Sequence, residues 1–85
     1  LNYVILLQYL GHPQESIDVL FTLSKSYPDD YRVYMYMAFA YDTLRNDPDK
    51  LTYAMKAMDL YNNSSEEAKN SAEPNALAKL QGMIP

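Results

Sequence analysis

The chain has 85 residues, of which 48% are apolar, 21% charged and 13% aromatic, and its formal net charge is -4. The apolar content excludes a disordered tail, and the length leaves room for one small domain. An acidic chain without a basic cluster lacks the electrostatic attraction on which nucleic-acid binding depends, so we expect no nucleic-acid partner.

The residue types also restrict the chemistry of the chain. It contains no cysteine, and His12 is its single histidine, which excludes thiolate catalysis and the usual zinc sites. The aspartates lack the spacing of a calcium-binding loop, and the two glycines lie too far apart for a phosphate-binding loop. We therefore expect no catalytic residue, metal or cofactor here, which leaves open an enzyme domain elsewhere on a longer parent protein.

The apolar run of residues 1–10 is far shorter than the roughly 20 residues that a membrane helix needs, so we expect no membrane insertion. No signal-peptide pattern precedes Gly11. Because the chain opens on Leu1, we expect it to be a piece of a longer protein whose targeting information lies elsewhere. The compartment stays open, with the cytoplasm favoured.

Proline and glycine divide the chain into helices. After an apolar helix over residues 3–10, Gly11 makes a break, and Pro13 fits the first turn of a second helix that we expect to end at Ser26. The apolar face of the second helix is predicted from helical spacing to contain Ile17, Leu20, Phe21 and Leu23.

Acidic residues precede the next helix. Asp29 and Asp30 can cap a helix over residues 31–44, which is apolar around most of its circumference and should be packed on more than one side. Pro48 predicts a fourth helix over residues 48–61, with an inward face of Leu51, Ala54, Met55 and Met58.

Two shorter elements follow. A capping box from Ser64 to Glu67 predicts a turn of helix over residues 66–70. Pro74 predicts a last helix that starts near residues 71–73, and its inward side chains are expected to be Leu77, Leu80 and Ile84.

The sequence repeats itself at one constant offset. The aligned pairs are Val4 and Ala38, Leu7 and Tyr41, Gly11 and Arg45, Ile17 and Leu51, Leu23 and Ala57, and Pro28 and Asn62. The same offset, about 34 residues, is the period of the two-helix unit in tetratricopeptide repeats (TPR). Tyr34-x2-Met37-Ala38-x2-Tyr41 resembles the first-helix motif of that family. The second-helix motif is matched in the first copy by Gly11, Ser16-x3-Leu20, Leu23 and Pro28.

This resemblance implies an all-α fold of antiparallel helix-turn-helix repeats, a TPR-like α-solenoid fragment with a C-terminal capping helix. Residues 1–28 would be a first repeat that lacks its opening turn, residues 29–62 a second repeat, and residues 63–85 a linker and capping helix. Lys50 departs from the family pattern because a small alanine is usual there, and Arg45 replaces the turn glycine.

In this family the first helix of each repeat lines a concave groove that holds a partner. The aligned positions imply a groove formed by Leu1, Ile5, Gln8, Tyr9, Arg32, Met35, Phe39, Asp42 and Thr43. Members that clamp a C-terminal carboxylate carry basic and amide side chains at several of these positions, whereas this chain has apolar ones. The expected function is therefore non-catalytic binding of an apolar peptide or helix of a partner protein. Burial of the same residues by a preceding repeat is the alternative.

Two other functions stay open. The segment Tyr27–Met35 resembles repeat regions attached to bacterial serine/threonine protein kinases, which implies a regulatory appendage whose partner is another domain of the same chain. The third alternative is homo-oligomerisation, in which the apolar stripe of the first or last helix pairs with a second copy.

Overall fold

The computed structural model describes residues 2–85, without the side chain of Asn2. Its six helices are α1 (Asn2–Tyr9), α2 (Pro13–Ser26), α3 (Tyr31–Thr43), α4 (Asp47–Asn62), α5 (Glu66–Asn70) and α6 (Pro74–Gly82). No strand occurs within the described residues. The chain is therefore all-α, as the sequence predicts.

The starts of α3, α4 and α6 are fixed by local side-chain caps. The Asp30 carboxylate accepts a hydrogen bond from the Arg32 amide at 3.0 Å, and the Asn46 side-chain oxygen accepts one from the Asp49 amide at 3.3 Å. Glu73 caps α6 by accepting from the two amides that follow Pro74. Each cap satisfies backbone donors that the helix itself leaves free, which is why short sequence signals locate these starts.

The predicted capping box before α5 is wrong by one residue. Ser65 is the cap, and its hydroxyl oxygen accepts from the Ala68 amide at 3.2 Å. Ser64 instead donates its hydroxyl to the Leu60 carbonyl at 2.7 Å. The cause is that α4 extends to Asn62, so Ser64 is bonded to the last turn of that helix.

The inward face of α4 also differs from the prediction. Ala54 and Ala57 are fully buried, whereas Met55 is 52% exposed. The helix presents its smallest side chains to its neighbours, which allows the helix backbones to approach closely. Helical spacing alone favours the larger Met55 over Ala57.

The two connections that follow α1 and α3 share one backbone geometry. Three hydrogen bonds close the first connection, from the amides of residues 10, 11 and 12 to the carbonyls of residues 6, 8 and 7. The same three recur in the second connection, from residues 44, 45 and 46 to residues 40, 42 and 41. Gly11 has φ +80° and Arg45 has φ +57°, so the left-handed residue also recurs. These bonds satisfy the last carbonyls of each helix.

Helix α3 is the centre of the structure and contacts α1, α2, α4 and α6. Part of its packing against α4 is aromatic: the Tyr53 ring of α4 stacks on Tyr41 at 5.5 Å and on Tyr34 at 6.4 Å, measured between ring centroids. The prediction that α3 is covered on more than one side is confirmed by its buried residues, which include Met37, Ala38 and Ala40, each at 0% exposure.

The last helix, α6, lies against α3 and α4. Leu80 is fully buried in the core, while Leu77 and Ile84 are half-buried at its edge. The short α5 has no buried residue.

Candidate partner-binding surface

The first half of the predicted groove lies on α1. Ile5 is 45% exposed and Tyr9 is 88% exposed, so both side chains are accessible. The two residues are four apart and share one face of the helix. Leu1, the remaining apolar position predicted here, lies outside the described residues.

Gln8 connects helices rather than standing free in the groove. Its side-chain amide donates to the Tyr36 carbonyl at 2.9 Å and lies 3.4 Å from the Ser16 hydroxyl. Ser16 is fully buried and donates its own hydroxyl to the Pro13 carbonyl at 2.7 Å. The Gln8 side chain therefore fixes α1 against α3 and α2, and it positions the exposed residues on either side of it.

Three predicted residues of α3 are exposed and polar. Arg32 stands at the start of the helix, whereas Asp42 and Thr43 stand at its end. The Asp42 carboxylate lies 3.5 Å from the Lys50 ammonium, and the Thr43 hydroxyl donates to the Phe39 carbonyl at 3.2 Å. Lys50 of α4 thus has an acidic partner on α3.

The two apolar residues predicted on α3 are largely covered by the chain itself. Met35 is 4% exposed and Phe39 is 7% exposed, and both belong to the hydrophobic core. The Phe39 ring meets Tyr36 edge-on at 5.6 Å between centroids, and the Lys79 ammonium of α6 lies 4.5 Å above it. Sequence reasoning missed Lys79, because only the packing of α6 brings it to this position.

Arg32 is paired with the acidic cap of its own helix. Its guanidinium donates to both carboxylate oxygens of Asp30, from Nε at 3.1 Å and from Nη2 at 2.8 Å. This side-chain hydrogen bonding lowers the pKa of Asp30 and raises that of Arg32. The paired guanidinium is less available to a carboxylate of a partner.

Two clefts share this ion pair, and sequence reasoning did not find them. The larger one, of about 320 Å³, is lined by Asp29, Asp30, Tyr31, Arg32, Ser64, Ala68 and Ser71. The second, of about 310 Å³, is lined by Leu23, Tyr27, Asp30, Arg32 and Val33. They form where the loop before α3 meets neighbouring helices, so no short motif marks them.

The titratable groups do not assemble a metal site within residues 2–85, where no three His, Asp or Glu side chains come together. His12 is exposed and lies 3.7 Å from the Glu15 carboxylate in the first turn of α2. Over the same described range, no helix is both long and apolar enough to span a membrane.

Comparison of the chain with protein-family models, with curated proteins and with solved structures returns no match. The geometry of the surface itself is therefore the basis on which a function can be proposed.

Proposed function

We propose that this chain is a non-catalytic protein-interaction module of the tetratricopeptide-repeat kind, whose α1 and α3 side binds an apolar segment of a partner protein. The observation that carries the proposal is the exposure of Ile5 and Tyr9 on one face of α1, the helix that Gln8 joins to α3. Large apolar side chains that stay exposed together on a small domain are typical of interaction sites.

The turn geometry supports the repeat part of the proposal. The offset that aligns Leu7 with Tyr41 in the sequence also relates the hydrogen bonds after α1 to those after α3, and Gly11 to Arg45. The starts of α2 and α4, at Pro13 and Asp47, are separated by the same interval. A helix pair of this period is the unit of tetratricopeptide arrays.

The exposed residues indicate the chemistry of the ligand. Ile5 offers aliphatic surface, and Tyr9 offers an aromatic ring with a hydroxyl at its edge, a combination suited to amphipathic segments. Met35 and Phe39 are too deeply buried to be the first contacts. An aspartate at either of these two positions would place an unpaired charge in the core and would test folding instead of binding.

The test is affinity for peptides selected from a displayed library of amphipathic helices. We expect Ile5→Glu combined with Tyr9→Ala to weaken the binding of selected peptides by at least about tenfold, or ~1.4 kcal/mol. Titration calorimetry gives the dissociation constants, and circular dichroism checks that the double variant is folded.

Met55→Glu provides a matched control, because Met55 is 52% exposed on α4. This change should leave peptide affinity unaltered. Equal binding by wild type and the Ile5, Tyr9 variant, or failure to select any peptide, would reject the proposal.

A further inference from the structure

The C-terminal segment, residues 66–85, is attached to the preceding helices without a hydrogen bond or an ion pair between helices. Its hydrogen bonds within residues 3–85 all join groups at most four positions apart, and no ion pair involves it over the same range. The four preceding helices do have such links, because Gln8 connects α1 to α2 and α3, and Lys50 connects α4 to α3. Attachment of the C-terminal segment therefore depends on apolar and cation–π contacts.

The apolar contacts of the segment centre on one residue. Leu80 of α6 is fully buried in the core, whereas α5 has no buried residue. Beside Leu80, the Lys79 ammonium lies 4.5 Å from the centre of the Phe39 ring of α3. The apolar side chains that pack around Leu80 are only partly buried: Ala72, Ala76, Leu77, Met83 and Ile84. Helix α6 is thus an amphipathic helix with one apolar anchor and one cation, seated on α3 and α4.

The connection before the segment completes α4 by itself. The Asn63 side-chain amide donates to the Asp59 carbonyl at 2.9 Å, and the Ser64 hydroxyl donates to the Leu60 carbonyl at 2.7 Å. The backbone amides of Asn63 and Ser64 also donate to carbonyls of α4. These bonds satisfy carbonyl groups of the last turn, so departure of α6 would remove no hydrogen bond from α4.

We propose that the surface of α3 and α4 beneath α6 is a binding site for an amphipathic helix, that α6 is its resident occupant, and that a partner helix of the same pattern displaces it. Helix α6 itself defines the chemistry of that partner: a leucine in place of Leu80, small or aliphatic side chains on the same face, and a lysine or arginine over the Phe39 ring. The site is distinct from the α1 surface, because neither Ile5 nor Tyr9 belongs to the core that α6 joins.

Competition between the two helices fixes the sign of the expected effects. Only the fraction of molecules in which α6 is detached can bind a partner helix, so the apparent affinity is lowered in proportion to that fraction. A substitution that loosens α6 therefore strengthens partner binding. If α6 were only a structural part of the core, the same substitution would destabilise the domain and would not raise its affinity for a helix.

The test measures, by fluorescence anisotropy, how a labelled peptide with the sequence of residues 65–85 binds to the intact 85-residue chain. Leu80→Ala in the chain should raise peptide affinity at least about tenfold, because it weakens the packing of α6 in the core. Leu20→Ala is the matched control: Leu20 is also fully buried, but it lies on α2, whereas α6 packs on α3 and α4. That variant should bind the peptide no more tightly than the wild type does. A peptide carrying Leu80→Asp should not bind.

Lys79→Ala provides a second variant that leaves the buried core intact. Removing the ammonium from the Phe39 ring should raise peptide affinity about two- to fivefold, the fold-change that corresponds to an exposed cation–π contact. Lys56→Ala is its control, since the Lys56 ammonium lies 4.7 Å from the centre of the Tyr34 ring and joins α4 to α3 without α6. This change should leave peptide affinity unaltered.

Native-state hydrogen exchange of the wild-type chain gives a readout that needs no substitution. A helix that detaches by itself exchanges its amides without unfolding the rest of the domain. We therefore expect the amides of α6 to be protected at least about tenfold less than those of α3, when each rate is compared with its value in an unfolded chain.

Three results would overturn the proposal. One is a Leu80→Ala chain that is folded by circular dichroism and binds the peptide no more tightly than the wild type. The others are equal peptide affinity of Lys79→Ala and Lys56→Ala, and equal protection of α6 and α3. Failure of the α1 surface would produce none of these results, because the chain carrying Ile5→Glu and Tyr9→Ala should bind this peptide like the wild type.

Discussion

At the scale of single residues, the two connections place the same left-handed demand on two different residue types. Gly11 and Arg45 occupy equivalent positions with positive φ. Glycine adopts this conformation without steric cost, whereas a residue with a Cβ costs about 1 kcal/mol there. Arg45 thus carries local strain that Gly11 avoids.

Exchanging residue types at these two positions should change stability in opposite directions. We expect Arg45→Gly to stabilise the chain by about 0.5–1 kcal/mol and Gly11→Ala to destabilise it by about 1 kcal/mol, measured by urea unfolding. No heavy atom outside the immediate chain lies within 4 Å of a Cβ built on Gly11, so the cost is conformational and not a clash.

Gly82→Ala is the control for this pair. Gly82 lies in α6, has no positive φ, and its added Cβ would also meet nothing within 4 Å. Alanine there should be neutral or stabilising. If Gly11→Ala and Gly82→Ala change the free energy of unfolding in the same direction, backbone conformation at residue 11 is not the cause.

At the scale of helices, the best-predicted features are those fixed by neighbours in sequence. Asp30 lies two residues from the amide and guanidinium that it binds, and sequence reasoning placed it at the start of α3. The face of α4 depends instead on which side approaches α3, and the prediction of Met55 on that face is wrong. Local hydrogen bonds can be inferred from a few residues, whereas the rotation of a helix cannot.

Removing the cap of α3 should lower the free energy of unfolding by an amount that depends on pH. We expect Asp30→Ala to lose about 1 kcal/mol of stability near pH 7. The hydrogen bond from Arg32 lowers the pKa of Asp30 below 3.8, so the carboxylate stabilises the fold above that pH. Its contribution is lost as the pH falls through the lowered pKa in the folded state.

Chemical unfolding at pH 7 and at pH 2 measures this effect. Asp29→Ala is the matched control, because Asp29 is an exposed neighbour that does not cap α3. The stability difference between the two variants should be present at pH 7 and shrink at pH 2. Identical stabilities at pH 7 would contradict the capping role of Asp30.

At the scale of the whole molecule, the tyrosines link packing to pH. Burial raises the pKa of four of them above the ordinary value of 10.0: Tyr31, Tyr36, Tyr41 and Tyr53. These rings belong to α3 and α4, the helices that form the centre of the structure. Their neutral forms are therefore favoured by folding.

The chain should lose stability in alkali. A group whose pKa is raised in the folded state stabilises the fold below its ordinary pKa, and this contribution disappears as the pH rises through the raised value. We expect the free energy of unfolding to decline above pH 10, and tyrosinate absorbance to develop at higher pH in the native chain than in urea.

Tyr36→Phe should make that decline less steep, since one of the four hydroxyls is removed. Tyr9→Phe is the control, because its ring is 88% exposed. A native titration that coincides with the one in urea would show that these rings are not buried as the structure has them.

The all-α class, most helix limits and the repeat offset follow from the sequence alone, because caps, prolines and apolar periodicity act over a few residues. The sequence also places the exposed residues Ile5 and Tyr9 on one helix. Only the packing of the helices shows that Met35 and Phe39 are covered. It also shows that Tyr3, Leu6 and Leu10 are exposed. Burial depends on which distant helix reaches a given side chain, and α6 reaches Phe39 through Lys79, whereas nothing in the described chain covers Tyr3 and Leu6 to the same extent.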